Sequence, residues 1–431
     1  MSNDVCILDR ICGIYSYSTS PEIYVDAFFN SIDDFVVEEI DKYGDIISLD
    51  NPTIKDSGYP GLFTHFVLIK RNIDTFTAIR IISNKLGIPR KWVFLSGLKD
   101  REAVTVQRGC VFGVDPDEIN EIKWSPKLYL KSPIRELRRL GIGQHLGNRF
   151  TIRLSCNQSL EIILDEIQRR PILNFFGYQR FGIWKPISHI SGKLLIQGKY
   201  FDSLLIFLLE STPFFPNRKL FLEYVNNNQY KEALGLLPRK GFYYERIILR
   251  NIARGYAGEK IIARIPRDFL RIIVESYQSF VFNLLLSSIH QENEGIPEKL
   301  PLIGYSTDPS RLDPEIRDTL SEILSSENIT YTNFRKKFLP KYVARGGWRA
   351  SNIHIDKLEY NQNTRHTIRF YLPKGCFATI ILREIVKSNI LRLLLSRKIG
   401  LYRVNVYERM VSFYSDIYAR YFDDRNLKSF A

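Results

Sequence analysis

A chain of 431 residues that is 45% hydrophobic and 13% aromatic is too apolar for wholesale disorder and too long for one ordinary core, so two domains are expected. With 61 Lys and Arg against 47 Asp and Glu, the formal charge of +14 points to an anionic partner, nucleic acid first. Residues 1–17 lack a secretory apolar core, and no lysine-rich amphipathic anchor or apolar run near the ~20 residues of a membrane span stands out. The five cysteines are scattered, with no C-x-x-C or H-x-x-x-H pair, which argues against structural zinc. These features describe a cytoplasmic protein with reduced thiols, no membrane partner and no metal.

In chain order, residues 23 to 40 close on Asp33-Asp34-Phe35-Val36-Val37-Glu38-Glu39-Ile40, a strand signal. Phe63 to Lys70 is a second strand, with Phe63, His65, Val67 and Ile69 on one face and Phe66 and Leu68 on the other. Asp74 and Thr75 are candidate caps for a helix from Phe76 to Leu86, stopped by Gly87-Ile88-Pro89. Trp92 to Leu95 and the alternation through Val104 and Val106 read as two strands joined by a turn. Lys131, Arg135, Arg138 and Arg139 suggest a basic helix face, and Phe150 to Leu154 another strand. From Leu160 the helical period dominates: Ile162, Ile163 and Ile167, then Leu204 to Leu209, Phe269 to Ile289 and Glu315 to Leu324. Strand signals return at Thr367 to Tyr371 and Phe377 to Leu382. The tail after Lys387 is basic, tyrosine-rich and mixed in character, suited to an RNA-facing surface or a docked helix. This order predicts an α+β fold whose mixed sheet is split in sequence by a helix-rich insertion.

Three strings carry chemistry. Gly97-Leu98-Lys99-Asp100-Arg101-Glu102-Ala103-Val104-Thr105-Val106-Gln107 places one carboxylate, Asp100, on a Gly-opened turn between two cations. A neighbouring positive charge keeps such a carboxylate ionised and the turn exposes it, as a nucleophile requires. Asn174-Phe175-Phe176-Gly177-Tyr178-Gln179-Arg180-Phe181-Gly182 sets amides and a cation among aromatics, which suits unpaired bases as well as a packed turn. Pro373-Lys374-Gly375-Cys376-Phe377-Ala378-Thr379 reads as a Gly turn into a buried strand. His65 and His145, nearest these strings, read as satisfied histidines.

The three strings resemble signatures of the TruD family of pseudouridine synthases, in order G-x-K-D-x-x-A-x-T-x-Q, N-Y/F-F-G-x-Q-R-F-G and L-P-x-G-x-[YF]-A-T-x-x-L-R-E. Asp34-Phe35-Val36-Val37-Glu38-Glu39 resembles its D-F-x-V-x-E, and Gly147-Asn148-Arg149-Phe150 its G-N-x-F. Ser276 to Asn283, Leu300 to Gly304 and Arg345 to Arg349 are similar to later stretches, so the resemblance runs from residue 34 to 384. It implies a pseudouridine-synthase catalytic domain at 1–194 and 349–431, with 387–431 as a basic tail, and an inserted TruD-specific domain at 195–348. The two would form a V with RNA in the cleft. It further implies a monomeric, cofactor-free isomerase that converts one uridine of tRNA, flipped from its stack, to pseudouridine. Position thirteen is the first candidate, with an anticodon position as the alternative. Asp100 would be catalytic; Phe35, Asn174, Phe176, Phe377, Lys99, Gln107 and Arg180 would bind substrate.

The string departs from the family at Phe29, where many members carry a Lys or Arg near the catalytic Asp. A catalytically weak RNA-folding helper of the same fold is therefore the alternative. A methyltransferase or deaminase would require a Gly-rich cofactor loop or H-x-E with C-x-x-C, and neither occurs.

Overall fold

The structure, a computed structural model, describes residues 5–210, 214–215, 217–239, 241–291, 295–335, 345–355, 357–399 and 404–422. The chain forms two compact units: Thr19–Ile172 with Ile353–Arg403, and Met1–Ser18 with Leu173–Asn352 and Val404–Ala431.

The first unit is built on a mixed sheet. Its strands are β1 (Phe35–Ile40), β2 (Phe63–Arg71), β3 (Val93–Leu95), β4 (Val104–Phe112), β5 (Leu128–Glu136) and β6 (Gly147–Leu154), joined by Leu358–Gln362 and His366–Pro373. Starting from Leu358–Gln362, the order is His366–Pro373, β6, β1, β4, β2 and β5, with β3 on β4. β1 and β4 run parallel, with Val36 opposite Val104; β4 and β2 run antiparallel, with Thr105 opposite Lys70. Strand alternation divides the core as expected. Phe66 and Leu68 join Val93, Leu95 and Val111 on one face, where Ala78 and Ile82 of helix Thr75–Leu86 pack. Val67, Ile69 and Val106 join Ile47 on the other. Asp74 caps that helix by accepting from Thr77 N at 2.9 Å.

Two local readings are corrected. Leu128–Glu136, expected to present a basic helix face, is an edge strand containing Pro133, with Arg135 paired to Asp115 at 2.5 Å. Phe377 to Leu382, expected as a strand, caps and enters helix Ala378–Val386. All nine residues of that helix are buried, so the amphipathic period that distinguishes helix from strand is absent. Gly375, at φ +86°, makes the turn that precedes it.

The second unit is largely helical. Its centre is helix Arg267–Gln291, which is long and apolar enough to cross a membrane, but 89% of its apolar window is buried in the fold. From the sequence, domain boundaries are expected at 194/195 and 348/349. The compact units divide at 172/173 and 352/353, because helix Ser188–Gln197 packs on Arg267–Gln291. Residues Met1–Ser18 and Val404–Ala431 also fall in this unit: helix Ile7–Ile11 packs on Val404–Phe422, and Asn283 Nδ2 donates to Cys12 O at 2.9 Å.

Gly192 marks the tightest approach of those helices. A Cβ there would lie 2.0 Å from Ile273 O. Gly192→Ala is expected to cost about 1–3 kcal/mol and lower Tm by roughly 5 °C. Gly235→Ala, on a helix with nothing within 4 Å of the added Cβ, should leave Tm unchanged or slightly raised in the same calorimetric comparison.

Candidate functional site

Asp100 lies on the turn between β3 and β4, and this turn is fastened along its length. Ser96 Oγ donates to Glu39, and Ser96 O accepts from Gly143 N at 2.6 Å. Gln107, fully buried on β4, donates Nε2 to Gly97 O at 3.1 Å. Thr75 Oγ1, at the start of its helix, accepts from Lys99 N at 3.2 Å. Lys70 Nζ, rising from the end of β2, donates to Asp100 O at 2.6 Å. Burial pulls the Lys70 ammonium down to about 8, against the opposing influence of Asp100 and Asp74. The Asp100 side chain itself remains 31% exposed.

The cations around it have distinct tasks. Lys99 is 3% exposed and ion-paired to Glu39 at 2.8 Å, so it anchors the turn to β1 and offers no open charge to substrate. Gln107 likewise faces inward as a turn support. Arg101 is exposed. The cation at Asp100 is Arg397, from helix Ile390–Ile399: Nη2 stands 3.7 Å from Oδ2, and Nε donates to Glu102 O. Its guanidinium lies 3.7 Å from the centroid of Phe35, a fully buried ring that also meets Phe29 and Phe150 edge-on. Phe35 is thus a platform for Arg397 in this structure, and its face is covered. Phe377 is half-buried at the head of helix Ala378–Val386.

The charged residues of the surrounding motifs are structural. Asp34 accepts from Asn30 N and Ser31 N at 2.8 and 2.9 Å and pairs with Arg365. Glu38 pairs with Arg149 at 2.6 Å; that bond and the Leu49 N–H hold its carboxyl low despite burial, which acts to raise it. Arg383 and Glu384 are fully buried, with Glu384 accepting from Thr19 Oγ1 at 2.7 Å.

His65 is satisfied, as expected. Arg108 Nε can only donate, at 2.9 Å to Nδ1, so Nε2 carries the proton toward Arg138 O at 2.8 Å. Burial and then the charge of Arg108 push this imidazole down from 6.5 to about 4. Between those values the unfolded chain binds the extra proton. Stability therefore falls as pH drops from about 6.5 to about 4, by up to roughly 3 kcal/mol. His65→Gln should flatten that part of the stability-against-pH curve measured by urea unfolding.

In the helical unit, Asn174 and Phe176 are held by side chains from distant sequence. Arg349 donates Nη2 to Asn174 Oδ1 at 2.7 Å, and Nε and Nη2 to Asn174 O at 3.1 Å each. Asn174 Nδ2 donates to Ala350 O at 2.9 Å, which settles the orientation of the amide. Phe176 is 6% exposed, with Arg349 4.0 Å from its centroid and Arg180 5.4 Å. Asn283 Oδ1 accepts from Phe176 N at 2.8 Å, and Nδ2 donates to Phe176 O at 3.2 Å. Arg180 pairs with Glu275 at 3.2 Å. Arg349 and Asn283 lie in stretches matched from the sequence, but nothing there assigned them a task. Arg397 lies beyond every matched stretch.

Comparison with known proteins places this geometry in context. The family model for tRNA pseudouridine synthase D (TruD) matches residues 12–299 and 288–385. A Pyrobaculum islandicum protein named "Probable tRNA pseudouridine synthase D" is 30% identical over 391 residues, covering 82% of this chain and 90% of the relative. A Methanocaldococcus jannaschii protein, "Probable tRNA pseudouridine synthase D 1", is 30% identical over 375 residues, covering 83% and 94%. The crystal structure of a Methanosarcina mazei protein named "Putative tRNA pseudouridine synthase D (TruD)" shares the fold at TM-score 0.68 and 24% identity, covering 90% of this chain and all of that one.

Proposed function

This chain belongs to the TruD family of tRNA pseudouridine synthases, and from that we propose that it isomerises one uridine of tRNA with Asp100 as the catalytic carboxylate. The observation that carries the assignment is the turn itself: its backbone is fastened from several elements while the Asp100 carboxylate stays partly open beside a cation. Such preorganisation serves a group that must meet a reacting atom in one geometry. The target base leaves its stack, because a carboxylate cannot reach its ring or sugar otherwise. Asp100 acts on the nucleoside, the N1–C1′ bond breaks, and the freed uracil turns. A C5–C1′ bond forms, C5 gives up its proton and N1 gains one, so the atoms balance without a cofactor. Phe377 meets the base as an aromatic surface, and Asn174, Phe176 and Arg180 contribute to substrate binding. Phe35, Lys99 and Gln107 support Arg397 and the turn. The substrate position is the thirteenth of tRNA, the protein acts as a cytoplasmic monomer, and the +14 charge draws in the polyanion.

Pseudouridine mapping on a panel of tRNA transcripts tests this. A new pseudouridine at position thirteen supports the reading in full, and one at an anticodon position corrects only the site. Salt-sensitive tRNA binding with no product at any position would establish the folding-helper alternative, which buried Phe29 favours because it leaves the family's usual cation position apolar.

A further inference from the structure

We infer that Arg397 is the positioning residue of Asp100, a cation supplied from the C-terminal side of the chain to a site where position 29 supplies none. This inference rests on Asp100 being the catalytic carboxylate.

Four observations converge on it. Among the described residues, Arg397 is the cation within ion-pair reach of the Asp100 carboxylate, at 3.7 Å. The other nearby cations are engaged or open to solvent: Lys99 with Glu39, Lys70 with backbone carbonyls, and Arg101 exposed. The guanidinium is fixed on three sides, by the Asp100 carboxylate, by the Glu102 carbonyl and by the face of Phe35. Finally, its helix is tied to the segment that carries Phe29: Phe29 N donates to Ser396 Oγ at 2.9 Å, and Ser396 immediately precedes Arg397.

A guanidinium that is 6% exposed, stacked on an aromatic ring and hydrogen-bonded to the turn has little freedom. It can therefore hold the carboxylate aimed, with a fixed positive charge beside it. Burial alone opposes its charge, and Asp100 and Glu102 are the groups that favour it. The arrangement also explains why Phe35 is fully buried. Its ring acts one step back from the chemistry, as the surface on which the cation lies.

The test uses the full-length protein, a tRNA transcript that wild type modifies, single-turnover pseudouridine formation, tRNA binding at fixed salt and Tm for every variant. Arg397→Met is expected to slow the chemical step by on the order of 10- to 100-fold. tRNA affinity should stay within about twofold, because the residue is buried and does not meet RNA phosphates. Arg397→Lys, which keeps the charge, should recover most of the rate. Arg397→Gln keeps a donor for Glu102 O but no charge, and should resemble Arg397→Met.

Gln at the wild-type rate would overturn the inference, since a backbone anchor would then suffice. A faster Arg397→Met would also overturn it, by showing that the guanidinium obstructs the Phe35 face. Rates that merely track Tm across all three variants would reduce Arg397 to a packing residue and defeat the proposal. A wild type that forms no pseudouridine would remove the enzymatic reading and this one together, whereas an active wild type matched by Arg397→Met would remove this one alone.

Discussion

Asp100→Ala forms no measurable pseudouridine, a loss of at least about a thousandfold, while it binds tRNA as well as wild type. The two halves of this expectation have separate physical causes. The turn is held by its backbone through Lys70, Thr75 and Gln107, and by the side chains of Ser96 and Lys99; none of these contacts uses the Asp100 carboxylate, so its removal leaves the turn in place. Binding is driven by the positive surface, and deleting one anion from a chain of net charge +14 does not weaken attraction to a polyanion. The variant does strand the Arg397 guanidinium, which keeps Glu102 O and the Phe35 face but loses its anion, so a modest fall in Tm accompanies the lost activity. Asp100→Asn, which keeps an acceptor oxygen but no charge for Arg397, should regain only part of that Tm and remain inactive. Product from either variant at more than a few per cent of the wild-type rate would transfer the catalytic role elsewhere.

Arg349→Met has the second largest expected effect. One guanidinium orients the Asn174 amide, satisfies its backbone carbonyl and covers Phe176. Methionine can fill part of the space but can donate to neither oxygen. Each buried acceptor left without a donor costs about 1–3 kcal/mol, and the amide becomes free to turn. The rate should drop about 100-fold, with a clear fall in Tm. Arg349→Lys should not rescue, because one ammonium lacks the planar fork that serves two oxygens while lying on a ring. This contrasts with Arg397, where charge is the expected requirement and lysine suffices. Steady-state rates and calorimetry on the two pairs of variants would reveal the contrast, and equal rescue by lysine at both positions would contradict it.

Much of the sheet was legible because alternate residues of its strands sort into two apolar faces. Val67 and Ile69 against Phe66 and Leu68 assigned both faces of β2, and Asp74 announced its helix. The Asp100 turn was visible as a charged string between two apolar ones. Helix Ala378–Val386 was misread because every residue is buried, so its β-branched run carried no helical period. The basic stripe at 131, 135, 138 and 139 mimicked helical spacing on what is an edge strand and the segment after it. The supporting cations were hidden for a different reason. Arg349 and Arg397 act through contacts some 175 and 300 residues away in sequence, and no local pattern distinguishes a buried, partnered arginine from a solvated one.

The split sheet also sets a timetable for synthesis. β6 is bounded in the finished fold by His366–Pro373, which is made roughly two hundred residues later, about 10 to 40 s at ordinary translation rates. Until then β6 is an open edge, a row of unpaired backbone groups ready to join another nascent chain. The intervening residues, mostly the central stretch of the helical unit, can begin to fold in that interval, although that unit's helix Val404–Phe422 is made after the closing strand. Helix Ile390–Ile399 follows closely behind the closing strand, and Arg397 reaches Asp100 almost as the sheet is completed. The order of manufacture thereby withholds the aligned carboxylate until the fold around it is nearly finished, and a chain abandoned midway carries an exposed edge without an assembled site.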